Sequence, residues 1–240
     1  MGLFMDADGF PLSFDLHDGN LNEQKTLKKH EQRIISDFDC SKFVYCSDSG
    51  LGSKKNRILN ATGGRAYVIT QSLKKLKKEV RDTCLSTTQF RKIGSNRFID
   101  INDLDEDDPE VFDAVYYKEV PYDSKTLSET LIVTYSPKYK NYQRSIREGQ
   151  IERARKMMTE SGKPKKNRKN PNDPARFLKK QAFTQNGELA EEELWQINEE
   201  AIETEAQYDG FYAVVTNLEA DVKEIIAINR RRWQIEACFR

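Results

Sequence analysis

Asp48 follows directly on the apolar run Phe43-Val44-Tyr45-Cys46 and sits in the polar stretch Ser47-Asp48-Ser49-Gly50. Such a run reads as a buried strand, and open α/β sheets present their functional groups at the carboxyl ends of strands like it. A carboxylate there suits a hard divalent cation, and it equally suits a loop cap. Near the other end of the sequence, Asn229, Arg232 and Glu236 recur at helical spacing. At about 100° per residue they fall within roughly 60° of one another and make one polar stripe. Ile225 and Ile226 border that stripe, so a helix here lies on a sheet with Glu236 at the edge of a cleft. The alternative is an Arg232–Glu236 ion pair at i, i+4, worth a few tenths of a kcal/mol. A third group is cationic: Lys163, Lys165, Lys166, Arg168 and Lys169 crowd a stretch rich in Asn and Pro, either a phosphate-binding stripe or a solvated loop.

Composition narrows the classes. The 240 residues carry 39 basic and 39 acidic side chains, which cancel, so any nucleic-acid surface must be local. It is local in the sequence: positions 138–180 hold fifteen Lys or Arg against four acids, whereas 100–113 and 188–205 hold eight acids each and no base. Cys40, Cys46, Cys84 and Cys238 contain no C-x-x-C pair, and with only His17 and His30 beside them no zinc pattern assembles. They read as reduced thiols of a cytoplasmic protein. No apolar stretch is long enough to span a bilayer, so no membrane partner is expected.

The elements that must position these residues follow from periodicity. Runs at Leu3–Met5 and Phe10–Leu16 flank Asp8-Gly9, a hairpin turn; Leu21–Phe38 is amphipathic with the period of a helix. Phe43–Cys46, a short helix over Ser53–Leu59 and the apolar run Ala66–Thr70 make strand, helix, strand, the signature of a parallel sheet. Ser72–Leu85 reads as one surface helix. Strand-formers at Phe98–Ile101, Val111–Val120 and Thr130–Tyr135 read as an antiparallel insertion, followed by a basic helix over Gln143–Ser161, a run at Phe177–Phe183 and an acidic helix over Glu188–Thr204. Gly210–Thr216 returns to buried-strand type, and Asp221 can cap a last helix whose apolar side is Val222, Ile225, Ile226 and Trp233.

Two stretches then stand out together: Asp48-Ser49-Gly50-Leu51-Gly52-Ser53-Lys54-Lys55-Asn56 and Arg231-Arg232-Trp233-Gln234-Ile235-Glu236-Ala237-Cys238-Phe239-Arg240. With Gly2-Leu3-Phe4-Met5, Gly9-Phe10-Pro11-Leu12, Gly19-Asn20 and Asp209-Gly210-Phe211-Tyr212 to Thr216-Asn217-Leu218, the chain resembles insertion-sequence transposases with an Asp-Asp-Glu site, over most of its length except the middle. The resemblance implies an α/β fold of ribonuclease-H-like type: a mixed sheet with helices, interrupted by a β-rich and α insertion. The first part of that core would occupy 1–92, the insertion 93–206 and the returning core 207–240. It further implies that Asp48 and Glu236 are the second and third catalytic carboxylates and metal ligands, with Mg²⁺ or Mn²⁺ as cofactor, and that Arg232 contacts phosphates near a transposon end. Asn229 stands where the family's Tyr-Arg-Glu-Lys signature has Tyr, and the lysine would fall beyond Arg240. The family's first Asp would lie upstream of the hairpin; Asp6 and Asp8 sit in the turn and do not replace it.

The implied chemistry is in-line attack on a DNA phosphodiester followed by strand transfer, with two metal ions about 3.5–4 Å apart activating the nucleophile and stabilising the leaving oxygen. Partners would be transposon-end and target DNA and a second copy in the full enzyme, at the nucleoid. Lacking the first Asp, the chain alone is expected to be inactive, because chemistry so dependent on positioning loses orders of magnitude with a ligand. Three other readings stay open: a non-catalytic DNA-binding remnant, another ribonuclease-H-like nuclease, or an interaction protein.

Overall fold

The computed structural model of the chain describes residues 2–6, 8, 10–16, 18, 21, 23–39, 43–160, 170, 172–183 and 192–232. It begins with the hairpin β1 (Gly2–Met5) and β2 (Pro11–Asp15), paired antiparallel. Asp6 closes the turn, its Oδ1 accepting from the backbone N–H of Asp8 and of Phe10. That carboxylate is therefore occupied as the turn's local acceptor. Helix α1 (Glu23–Phe38) turns Leu27, His30, Glu31 and Ile34 inward, the one-sided spacing of an amphipathic helix.

Strand β3 (Val44–Ser47), helix α2 (Lys54–Asn60) and strand β4 (Ala66–Thr70) form the expected crossover, and β3 pairs parallel with β4 from Val44–Ala66 to Ser47–Ile69. Ser53 caps α2, its Oγ accepting from Asn56 N–H. The helix expected over Ser72–Leu85 is instead a 3-10 turn at Leu73–Lys75 and then α3 (Lys78–Leu85). Leu73 and Leu76 are both buried, and an i, i+3 pair eclipses on a 3-10 turn; Leu76 then goes extended and ends it.

Next come β5 (Phe90–Lys92), which the sequence pattern did not single out, and β6 (Phe98–Ile99). The strand expected from Val111 starts only at Tyr116, because Asp108 caps a short helix, α4 (Pro109–Phe112), by accepting from Glu110 N–H with Pro109 at its first position. Strands β7 (Tyr116–Pro121) and β8 (Thr130–Tyr135) follow. Helix α5 (Pro137–Glu160) begins six residues before the expected start at Gln143. Strands β9 (Leu178–Phe183) and β10 (Glu192–Ile197) pair antiparallel, and α6 (Glu199–Ala206) completes the acidic region. The acidic helix is thus half strand: Asn198 breaks it by capping α6 at Ala201 N–H, and Trp195 and Ile197, two apart on β10, pack on the core of Ile151, Ala154, Phe177 and Leu178. The last described elements are β11 (Phe211–Thr216) and α7 (Val222–Arg231), capped by Asp221 at Lys223 N–H.

The class is mixed α/β, built on a seven-stranded sheet of order β3-β4-β11-β8-β7-β5-β6. β3 and β4 run parallel, β11 is antiparallel to β4, and β8, β7, β5 and β6 pair antiparallel in turn. The chain divides into two compact units, one of residues 1–105, 114–135 and 212–240, the other of 106–113 and 136–211. The strands β7 and β8, read from sequence as part of an insertion spanning 93–206, belong to the large sheet of the first unit. Alternation along β4 divides that unit's core. Tyr67 turns toward α2, its hydroxyl on buried Glu129, which pairs with Arg57 of α2 at 2.9 Å. Val68 turns the other way, into a cluster with Ile132, Val214, Val222 and Ile225, where α7 packs.

Candidate functional site

The site is assembled at the carboxyl ends of the two parallel strands. One residue past the Ser47–Ile69 pair, Asp48 follows the end of β3 and Thr70 ends β4, where it pairs with Val214. Ser47 is buried and its Oγ donates to Asp48 O at 3.2 Å. Asp48 Oδ1 accepts from Gly50 N–H at 2.8 Å, and Gln24 Nε2 from the first turns of α1 donates to Gly50 O at 2.9 Å, tying the loop to that helix. The loop then passes over the sheet at Gly52, where a Cβ would lie 2.8 Å from Ile69 Cγ2, so only glycine permits this approach.

Helix α7 packs on the other face of the sheet from α2. Cys46 Sγ donates to Ile228 O at 3.7 Å. Burial raises the Cys46 thiol to about 11, opposed by the positive charge of Arg232. Asn229 Nδ2 donates to the Tyr212 hydroxyl at 3.2 Å, and that hydroxyl lies 2.6 Å from Thr70 Oγ1.

The structure thus brings Asp48, Asn229 and Arg232 to one end of the sheet. Glu236, Lys163, Lys165, Lys166, Arg168 and Lys169 lie outside the described residues. Thr70 and Tyr212 join the site without having been singled out from sequence; a polar residue ending a buried strand was the available signal for Thr70, whereas a tyrosine within an apolar run reads as core. Asp48 offers the hard oxygen that Mg²⁺ or Mn²⁺ takes. One of its two oxygens is already an acceptor for Gly50, and no three His, Cys, Asp or Glu side chains converge among the described residues.

The basic helix α5 presents less free charge than its composition suggests. Lys138 pairs with Asp113, Lys140 with Glu106, Arg147 with Asp209 and Lys156 with Glu152. The acidic stretch 100–113 thus supplies two of the counter-charges, which lowers the local field available for phosphate.

No described helix is long and apolar enough to cross a membrane. The chain matches no protein-family model, no curated protein and no solved structure.

Proposed function

We propose that the chain is part of an Asp-Asp-Glu transposase of the insertion-sequence type, with a ribonuclease-H-like core whose substrate is DNA. The observation that supports the reading is that two stretches far apart in sequence come together at β3: the last turn of α7, which leads into Arg232, takes a hydrogen bond at Ile228 O from Cys46 Sγ, two residues before Asp48. That is the end at which an α/β sheet does its chemistry. In this reading Arg232 holds a backbone phosphate, as a planar guanidinium is suited to do. Asp48 and Glu236 would be the carboxylates that hold Mg²⁺ or Mn²⁺, which would supply activation of the nucleophile and stabilisation of the leaving oxygen. The nucleophile in such chemistry is water or a DNA 3′ hydroxyl, so no Ser, Cys or Lys nucleophile is required at the site.

Duplex binding tests the reading. Fluorescence anisotropy with a labelled mixed-sequence duplex should show binding at low salt that weakens steeply as salt rises, because each phosphate neutralised releases counterions. Arg232→Ala should weaken it and flatten the salt slope by about one phosphate. Alanines at Lys163, Lys165, Lys166, Arg168 and Lys169 test the second candidate surface in the same assay. Absence of binding at low ionic strength would remove the DNA reading altogether.

A further inference from the structure

Three elements distant in sequence meet at the Tyr212 hydroxyl: the carboxyl end of β4 at Thr70, the start of β11 at Tyr212 itself, and the last turns of α7 at Asn229. The hydroxyl lies 2.6 Å from Thr70 Oγ1 and accepts from Asn229 Nδ2 at 3.2 Å. A phenol carries one proton and can also accept, so it can bond both partners at once, with either hydroxyl as the donor between Tyr212 and Thr70. Apart from the long Cys46 Sγ to Ile228 O bond, α7 packs through apolar side chains, Val222 and Ile225 against Val68, Ile132 and Val214, with Ile226 and Ile228 beside them. Apolar burial is strong but non-directional and leaves the helix free to slide or roll by small amounts. A hydrogen bond near the end of the helix sets register and roll, because it weakens steeply away from its preferred distance and angle.

We infer that Thr70, Tyr212 and Asn229 form a polar latch that fixes the last turn of α7, and with it Arg232, against the carboxyl ends of β3 and β4. All three are positioning residues. The latch is a statement about α7 alone; only its consequence for DNA rests on the function proposed above. It also gives Asn229 a role in this chain distinct from a phosphate contact, since its amide N–H is directed to Tyr212.

Two cysteines of the same unit report the latch separately from global stability. Cys46 lies under α7, with its Sγ on Ile228 O. Cys84 is fully buried at α3. The experiment is alkylation of the full chain by N-ethylmaleimide at fixed pH, with the rate at each cysteine read by peptide mass spectrometry. Tyr212→Phe and Thr70→Val, which delete the hydroxyls and keep the shapes, should each speed Cys46 labelling about tenfold, the factor that one or two neutral hydrogen bonds provide. Cys84 should keep its wild-type rate. Thr70→Ser retains the hydroxyl and should leave Cys46 at the wild-type rate, which a role in packing alone would not predict. Unchanged Cys46 labelling in both Tyr212→Phe and Thr70→Val overturns the latch, and so does a parallel rise at Cys84, which would mean general loosening. Duplex binding measured on the same variants keeps the two claims apart: faster Cys46 labelling without loss of DNA affinity leaves the latch standing and removes α7 from the DNA site.

Discussion

Replacing Glu31 by Gln should stabilise the protein at alkaline pH and scarcely alter it at acidic pH. Glu31 lies on the inner face of α1 with 2% of its surface exposed, and its Oε1 has no hydrogen-bond partner among the described residues. Burial raises its pKa from 4.5 to about 7, opposed only in part by the Asn60 side chain and the Arg65 charge. His30 and Tyr45 are also buried nearby. The folded state therefore holds the proton more tightly than the unfolded chain does. Stability from this group is fully present below pH 4.5 and is lost as pH rises through about 7. A shift of that size corresponds to about 3 kcal/mol, of which about 2.5 kcal/mol is lost between pH 5 and pH 8. Glutamine keeps the shape and cannot ionise. The quantity to measure is the difference in unfolding free energy between Glu31→Gln and wild type, by urea titration at several pH values, since subtraction cancels groups common to both. It should grow by about 2.5 kcal/mol in favour of the variant from pH 5 to pH 8, equivalent to roughly 5–10 °C in thermal midpoint for a chain of this size. A difference that stays flat over that interval would mean Glu31 is already ionised in the folded protein, and the account of α1 packing would be wrong.

Lys118, buried on β7, donates to the carbonyls of Thr83 and Ser86 at the end of α3 and lies 4.6 Å above the Phe90 ring. Lys118→Met leaves both carbonyls unsatisfied and should cost about 2–4 kcal/mol in urea unfolding, since bonds to a charged donor contribute about 1.5–3 kcal/mol each before the desolvation of the ammonium is recovered. Gly52→Ala drives a Cβ into Ile69, which is fully buried, and should cost about 1–3 kcal/mol in the same measurement. In the second unit, Arg147 and Asp209 form a bidentate pair with side chains only 11% and 9% exposed; Asp209→Asn leaves a buried charge uncompensated and should cost about 3–5 kcal/mol. Lys138→Ala, which breaks the exposed pair with Asp113, should change stability by less than about 1 kcal/mol, and equal losses in these two variants would contradict the burial argument.

The parts of the fold legible in sequence were those coded locally. Phe43–Cys46 and Ala66–Thr70 are apolar runs with a capped helix between them, and they became the parallel pair β3–β4 within a residue of their expected limits. Asp221 before an amphipathic repeat announced α7, and Asp8-Gly9 announced the hairpin. Expectation failed where a cap competed with composition. Asp108-Pro109 converted expected strand into helix, and Asn198 cut an acidic helix into β10 and α6. For the site, the position of Asp48 at a strand end was readable, because a strand and the polar turn after it are neighbours in sequence. The Thr70–Tyr212–Asn229 arrangement was not, since its first bond spans 142 residues and no local pattern encodes such a pairing.

That separation also governs when the protein can take shape. β4 finds its second neighbour in β11, and Tyr67 N–H waits for the side chain of Asn217, 150 residues later. A ribosome adding about 5–20 residues each second needs roughly 8–30 s to cover that distance. Meanwhile the second unit, most of which is the continuous stretch 136–211, emerges whole and can fold first. Through that interval the inner edge of β4 remains open, and a second nascent chain on the same message carries the same open edge. The rate of translation across this middle stretch therefore sets how long wrong strands compete with β11 for its place.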